Sequence, residues 1–147
     1  MVKQRLEGHF REVINADKSL YYLKLQVNPL AHTTSPADFL VINKHNQVFM
    51  IECKECNSKS FAFNRLTQLN KLKHFNDFSM TNYGYVLISF WLGSKKKSLY
   101  YMIHINEIIK FIKSINKKSA NVKDFEECLY MNRIKLNEIN TVFGGII

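Results

Sequence analysis

The sequence predicts an α/β protein in which helices flank a central mixed β-sheet, and three local patterns support this. Apolar residues recur at helical spacing over about residues 3–17, which indicates an amphipathic helix. Residues 39–42 and 48–53 are two apolar segments joined by the short polar link NKHNQ, which favours an antiparallel hairpin. The run YGYVLISFWL at 83–92 is apolar throughout, as in a strand covered on both faces. Such a strand belongs in the middle of a sheet.

The rest of the chain supplies the elements around this centre. They are a strand at 19–27, a helix with Asn64 as its N-cap, a strand at 97–105 and a helix at 106–116. The predicted order is therefore α-β-β-β-α-β-β-α. The C-terminal thirty or so residues are ambiguous: 122–130 has the pattern of a short helix, and TVFGGII is an apolar tail that requires cover.

Length and composition predict one compact domain spanning residues 1–147. Hydrophobic residues make up 46% of the chain, and no linker or internal repeat divides it. No segment approaches the roughly 18 consecutive apolar residues of a membrane span, and the N-terminus lacks the apolar stretch of a signal peptide. We therefore expect a cytoplasmic protein that does not enter a membrane.

The three cysteines do not indicate a disulfide framework, because their number is odd. Cys53 and Cys56 have C-x-x-C spacing, but no second ligand pair accompanies them, so a structural zinc site is only weakly indicated. If 48–54 is a strand, Cys53 faces away from its two neighbours, into the apolar layer where free cysteines are commonly buried.

The formal net charge of +9 indicates a polyanionic partner. Basic residues cluster at Lys95–Lys97 and between Lys110 and Lys123. A solubilising surface is the alternative interpretation, and the charge alone favours nucleic acid only modestly.

Glu52, Lys54 and Asp38 are the residues on which a catalytic function would depend. Side chains alternate along a strand, so Glu52 and Lys54 share one face. The short hairpin brings Asp38, at the start of the partner strand, beside them. Two carboxylates repel each other but suit Mg²⁺, which binds one or two carboxylates and keeps waters for a phosphate substrate, and Mn²⁺ is a candidate substitute. With Lys54 nearby to orient water or stabilise charge, this set predicts phosphodiester hydrolysis.

Spacing alone would favour a plain surface ion pair for E-x-K on a strand. Three features reverse that preference: Asp38 with Pro36 two residues before it, the basic surface and the αβββαβ order. On these residues the chain resembles the PD-(D/E)xK nuclease superfamily, and within it the RecU-type Holliday junction resolvases, over about residues 5–130. The segments that carry the closer likeness are TTSPADFLV, MIECKECNSKSFAF, the glutamine-bearing LTQLNKLKHF and KKSANVKDFEE.

The resemblance implies a restriction-endonuclease-like αβββαβ core and a Mg²⁺-dependent structure-selective endonuclease that nicks branched DNA. It implies that Asp38 and Glu52 bind metal, that Lys54 assists the attacking water, that Glu7 completes the metal site and that Gln68 orients the substrate. The expected DNA contacts are made by Thr33, Thr34, Lys71, Lys95, Lys96 and Lys97. Symmetric cutting of a two-fold junction requires two active sites, so we expect a homodimer.

The chain departs from the RecU pattern in three places. Ala37 precedes Asp38 where the family has threonine, so Thr33, Thr34 and Ser35 are candidates to replace that polar contact. Thr67 stands in place of a histidine before Gln68. Only NPLAHTTS occupies the position where the family inserts a long stalk.

Two alternatives remain open at this point. One is another nuclease of the superfamily, acting on linear duplex or flaps in repair or restriction. The other is a nucleic-acid-binding module that keeps the fold without the chemistry.

Overall fold

The structure is a computed structural model that describes residues 5–25, 37–92, 98–128, 131 and 133–144. Its helices are α1 (Arg5–Ala16), α2 (Leu69–Phe78), α3 (Ile105–Ile115) and α4 (Val122–Glu126), with 3₁₀ helices at Phe63–Arg65 and Leu136–Phe143. Its strands are β1 (Tyr21–Lys24), β2 (Phe39–Ile42), β3 (Val48–Cys56), β4 (Ser60–Ala62), β5 (Asn82–Phe90), β6 (Leu99–His104), β7 (Ser119–Asn121) and β8 (Arg133–Ile134).

Within these residues, six strands form one mixed sheet in the order β1-β2-β3-β5-β6-β8. β3 and β5 run parallel, with α2 in the connection between them, and the other neighbours in the sheet are antiparallel. β4 and β7 form a separate antiparallel pair. The predicted α/β class with a central mixed sheet flanked by helices is confirmed.

The sheet separates two hydrophobic cores. On one face, α1 and the C-terminal 3₁₀ helix cover β2 and β3, and Phe10 packs against Phe39 and Phe143. On the other face, α2, α3 and α4 cover β5 and β6. Val86 to Phe90 of β5 are all buried, as expected for a central strand. None of the helices in the described part of the chain is long and apolar enough to cross a bilayer.

The predicted boundaries are wrong where distant pairing decides the local structure. Asn64 is not the N-cap of α2: it lies in the 3₁₀ helix, and Gln68 holds the cap position. The cause is β4, which pairs with β7 and continues into a hydrogen bond from Phe63 N–H to Lys118 O, so a strand and a tight turn occupy this segment. Likewise β3 runs on to Cys56, because β5 supplies a partner along its whole length.

Close packing of α2 on β5 depends on Gly84. A Cβ atom at Gly84 would lie 2.9 Å from Leu72 Cγ and 3.1 Å from the Leu72 carbonyl oxygen. We expect Gly84→Ala to lower the free energy of unfolding by about 1–3 kcal/mol, because the helix backbone must move away. Gly8→Ala in α1 is the matched control: its Cβ meets nothing within 4 Å, and alanine favours a helix by up to about 1 kcal/mol. Urea denaturation of both variants tests this, and equal stability of Gly84→Ala and wild type would contradict it.

Candidate active site

The candidate site lies where β2 and β3 separate. The strands pair from Ile42 opposite Val48 to Phe39 opposite Ile51, and Asp38 N–H still donates to Ile51 O at 3.0 Å. Beyond that point the side chain of Asp38 bridges the gap, because its Oδ2 accepts a hydrogen bond from Cys53 N–H at 2.7 Å. β3 then continues with β5 on its other side. The hairpin therefore places Asp38 directly beside the E-x-K segment.

Glu52 and Lys54 lie on the same side of β3, as strand alternation predicted. Lys54 Nζ is 3.2 Å from Glu52 Oε1. Glu52 is only 8% exposed, which is unusual for a carboxylate, while Lys54 is half-buried. Cys53 points the opposite way, into the core shared with Phe39 and Ile51. The pair is therefore not the solvated surface ion pair that spacing alone would favour.

Glu7 reaches the site from the first turn of α1. The beginning of that helix is fixed to β3, because Leu6 N–H donates to Glu55 Oε1 at 2.8 Å. Glu7 Oε2 also accepts a hydrogen bond from Lys24 Nζ of β1 at 3.1 Å. Elements from three parts of the chain thus bring a third carboxylate towards Asp38 and Glu52.

The electrostatics of the cluster are unfavourable without a further cation. Burial, followed by the charges of Glu52 and Glu7, raises the pKa of Asp38 from 3.8 to about 7, although the hydrogen bond from Cys53 opposes the shift. Burial also raises the pKa of Glu52, and Lys54 opposes that increase. Lys54 and Lys24 therefore compensate the negative charge only in part.

The partly uncompensated negative charge of Asp38 and Glu52 bears on whether these residues fit a metal ion. No group of three or more His, Cys, Asp or Glu side chains in the described residues is arranged to hold a metal by itself. Mg²⁺ does not require such a group, since it binds through one or two carboxylates and retains waters. Asp38 and Glu52 are hard oxygen donors whose negative charge is undercompensated, so the residues present fit Mg²⁺ or Mn²⁺.

Two of the other predicted residues belong to α2. Gln68 is half-buried at the N-cap position of α2 and makes no capping hydrogen bond through its side chain, and Lys71 is exposed on the same helix. Thr33, Thr34, Lys95, Lys96 and Lys97 lie outside the described residues. Their predicted DNA contacts stay predictions.

Cys53 and Cys56 lie on opposite faces of β3 and in different cores. Neighbouring side chains alternate along a strand, so residues three apart point to opposite sides. The C-x-x-C pair therefore cannot hold one zinc ion, and both thiols act as small buried apolar groups.

Sequence reasoning missed Arg65. This residue lines a cleft of about 270 Å³ beside the part of β3 that extends beyond its pairing with β2. Its polar lining includes Glu7, Lys54, Glu55 and Asn57. The only local signal was a basic residue after the S-F segment, and its approach to Lys54 depends on the β4–β7 pair.

No family model and no curated protein matches the chain. Among solved structures, Hjc, a Holliday junction resolvase from the archaeal hyperthermophile Archaeoglobus fulgidus, superposes with a TM-score of 0.58 over 93% of this chain and 98% of that one. The chain has the fold of that resolvase. The predicted restriction-endonuclease-like class is therefore confirmed. The sequences are 12% identical, a level at which the likeness concerns the fold, and membership of the RecU type stays a prediction.

Proposed function

We propose that the protein is a metal-dependent, structure-selective DNA endonuclease that hydrolyses phosphodiesters of branched DNA, as Holliday junction resolvases do. The observation that carries this proposal is the convergence of Asp38, Glu52 and Lys54 where β2 and β3 separate, in a chain with a resolvase fold. Fold alone would not support it, because one fold hosts many activities. The buried, undercompensated carboxylates point to phosphate chemistry at this place.

In this proposal each side chain has a distinct role. Asp38 and Glu52 would hold Mg²⁺, with Mn²⁺ as a substitute, and Glu7 would complete the negative surroundings. A bound Mg²⁺ would neutralise charge on the scissile phosphate and make water easier to deprotonate. The ammonium of Lys54, held by Glu52, orients the attacking water and stabilises the negative charge that develops at phosphorus. Gln68 is proposed to contact the substrate.

The proposed substrate follows from the charge and from the resolvase-like fold. A net charge of +9 favours a polyanion, and phosphate contacts by Lys71, Lys95–Lys97, Thr33 and Thr34 would supply much of the affinity. A four-way junction has two-fold symmetry, which a homodimer with two active sites would match. Because only NPLAHTTS stands in the stalk position, we expect junctions to be preferred over linear duplex by a smaller margin than in a stalk-bearing resolvase.

A cleavage assay with competition tests the proposal. Labelled four-way junctions, flaps and linear duplexes are incubated with Mg²⁺, Mn²⁺ or EDTA, and unlabelled DNAs compete for binding at fixed salt. We expect metal-dependent nicks in the junction, none in EDTA, and weaker competition by linear duplex. If duplex competes as well as the junction, a repair or restriction-like nuclease takes the place of the resolvase. Absence of cutting of every DNA would leave a binding module.

A further inference from the structure

Arg65 is exposed, but its side chain packs on an aromatic ring. Its guanidinium carbon lies 5.1 Å from the ring centre of Phe61, a cation–π contact. Phe61 is fully buried and belongs to β4, whose three residues pair with β7. The end of the 3₁₀ helix at Phe63–Arg65 is therefore fixed to the core, and the arginine loses little conformational freedom when it binds a ligand.

Within the part of the chain that the structure describes, Arg65 is a cation without an acidic partner. None of the ion pairs among the described residues includes it, whereas Lys54 in the same cleft is paired with Glu52. The nearby Glu55 is engaged with the beginning of α1, where its Oε1 accepts the Leu6 N–H. An arginine with a purely structural role would be expected to pair with a nearby carboxylate, and Arg65 forms no ion pair with Glu55.

We propose that Arg65 binds a DNA phosphate in this cleft, at or next to the scissile phosphate held beside Lys54. This assignment rests on the proposed function and adds a substrate-binding residue to it. Two properties favour a phosphate over other ligands. The planar guanidinium presents paired donors that match two phosphate oxygens, and the contact with the Phe61 ring uses none of those donors. Its positive charge also offsets the repulsion that Glu7 and Glu55 in the cleft lining exert on the DNA backbone.

Arg65→Ala is expected to lower the single-turnover cleavage rate at saturating DNA by roughly 100-fold. The log–log slope of DNA affinity against salt should shrink by about one. Arg65→Lys keeps the charge but not the planar pair of donors, so we expect it to keep the slope and recover the rate only in part. Mn²⁺-induced stabilisation should match wild type in both variants, because Arg65 is not one of the proposed metal ligands.

Lys44→Ala is the matched control, because it removes one exposed positive charge from the opposite end of the β2–β3 hairpin. It should cut DNA at the wild-type rate. If Arg65→Ala also cuts at that rate, Arg65 is not a phosphate anchor, although the proposed nuclease stands. If wild-type protein cuts no DNA, the nuclease proposal fails, and binding in Ca²⁺ decides the role of Arg65: an unchanged salt slope in Arg65→Ala would exclude the anchor as well.

Discussion

Lys54→Ala is expected to reduce metal-dependent DNA cleavage by about 1000-fold while leaving DNA affinity close to wild type. The ammonium lies 3.2 Å from Glu52 Oε1, where it can both orient water and stabilise charge on the reacting phosphate. Its removal also leaves Glu52, only 8% exposed, without its cationic neighbour.

Asp38→Asn and Glu52→Gln should abolish cleavage for a different reason, because each removes a proposed metal ligand. Binding should persist, since we expect most of the affinity to come from the basic residues away from the site.

The measurement is a single-turnover cleavage rate, with affinity determined separately in Ca²⁺. Lys73→Ala is the matched control, because Lys73 Nζ is also paired with a carboxylate, Asp77, at 3.0 Å, but on the surface of α2. We expect it to cut normally. Wild-type rates for Lys54→Ala would refute the proposed role of Lys54, and equal loss in Lys73→Ala would indicate a general charge effect.

Asp38→Asn is expected to make the metal-free protein more stable at about pH 8, by about 2 kcal/mol after a discount for solvent screening. The folded-state pKa of Asp38 is raised to about 7 from 3.8, so folding favours the protonated form. This contribution is fully present below pH 3.8 and is lost as pH rises from there to about 7. Asparagine removes the charge but retains an oxygen that can accept the hydrogen bond from Cys53 N–H.

Urea denaturation in EDTA at about pH 4.5 and pH 8 tests this, and the gain should appear mainly at the higher pH. Asp17→Asn is the control of opposite sign: hydrogen bonds from Asn140 and Ser19 lower the pKa of Asp17, so its loss should destabilise the protein. Mn²⁺ should stabilise wild type at pH 8 but not Asp38→Asn, because a ligand stabilises only the state that binds it. A variant less stable than wild type at about pH 8 would contradict the proposed repulsion.

The site residues that were predictable are those set by short-range geometry. Strand alternation places Glu52 and Lys54 on one side of β3, and a hairpin of fixed length brings Asp38 to them. The continuous apolar run likewise predicted the buried centre of β5. In these cases the deciding contacts are local or lie across one short turn.

The features that were not predictable depend on partners distant in the sequence. β4 exists because β7 pairs with it, and that pairing moves the beginning of α2 from Asn64 to Gln68 and fixes Arg65 beside the cleft. The apolar tail was recognised as needing cover, but its partner was not: Phe143 packs against Phe10 of α1 and Phe49 of β3. No local pattern contains that information.

The hydrogen bond from Cys53 N–H to Asp38 gives one side chain two separable duties. The carboxylate of Asp38 joins the diverging strands by satisfying a backbone donor, and in the proposed mechanism it also supplies negative charge for catalysis. Replacement by alanine would remove both together, and a loss of activity caused by structural damage would then be mistaken for a loss of catalytic chemistry. Asparagine separates them, because it keeps the acceptor and discards the charge. At position 38, the choice of replacement therefore decides whether a mutant measures architecture or reactivity.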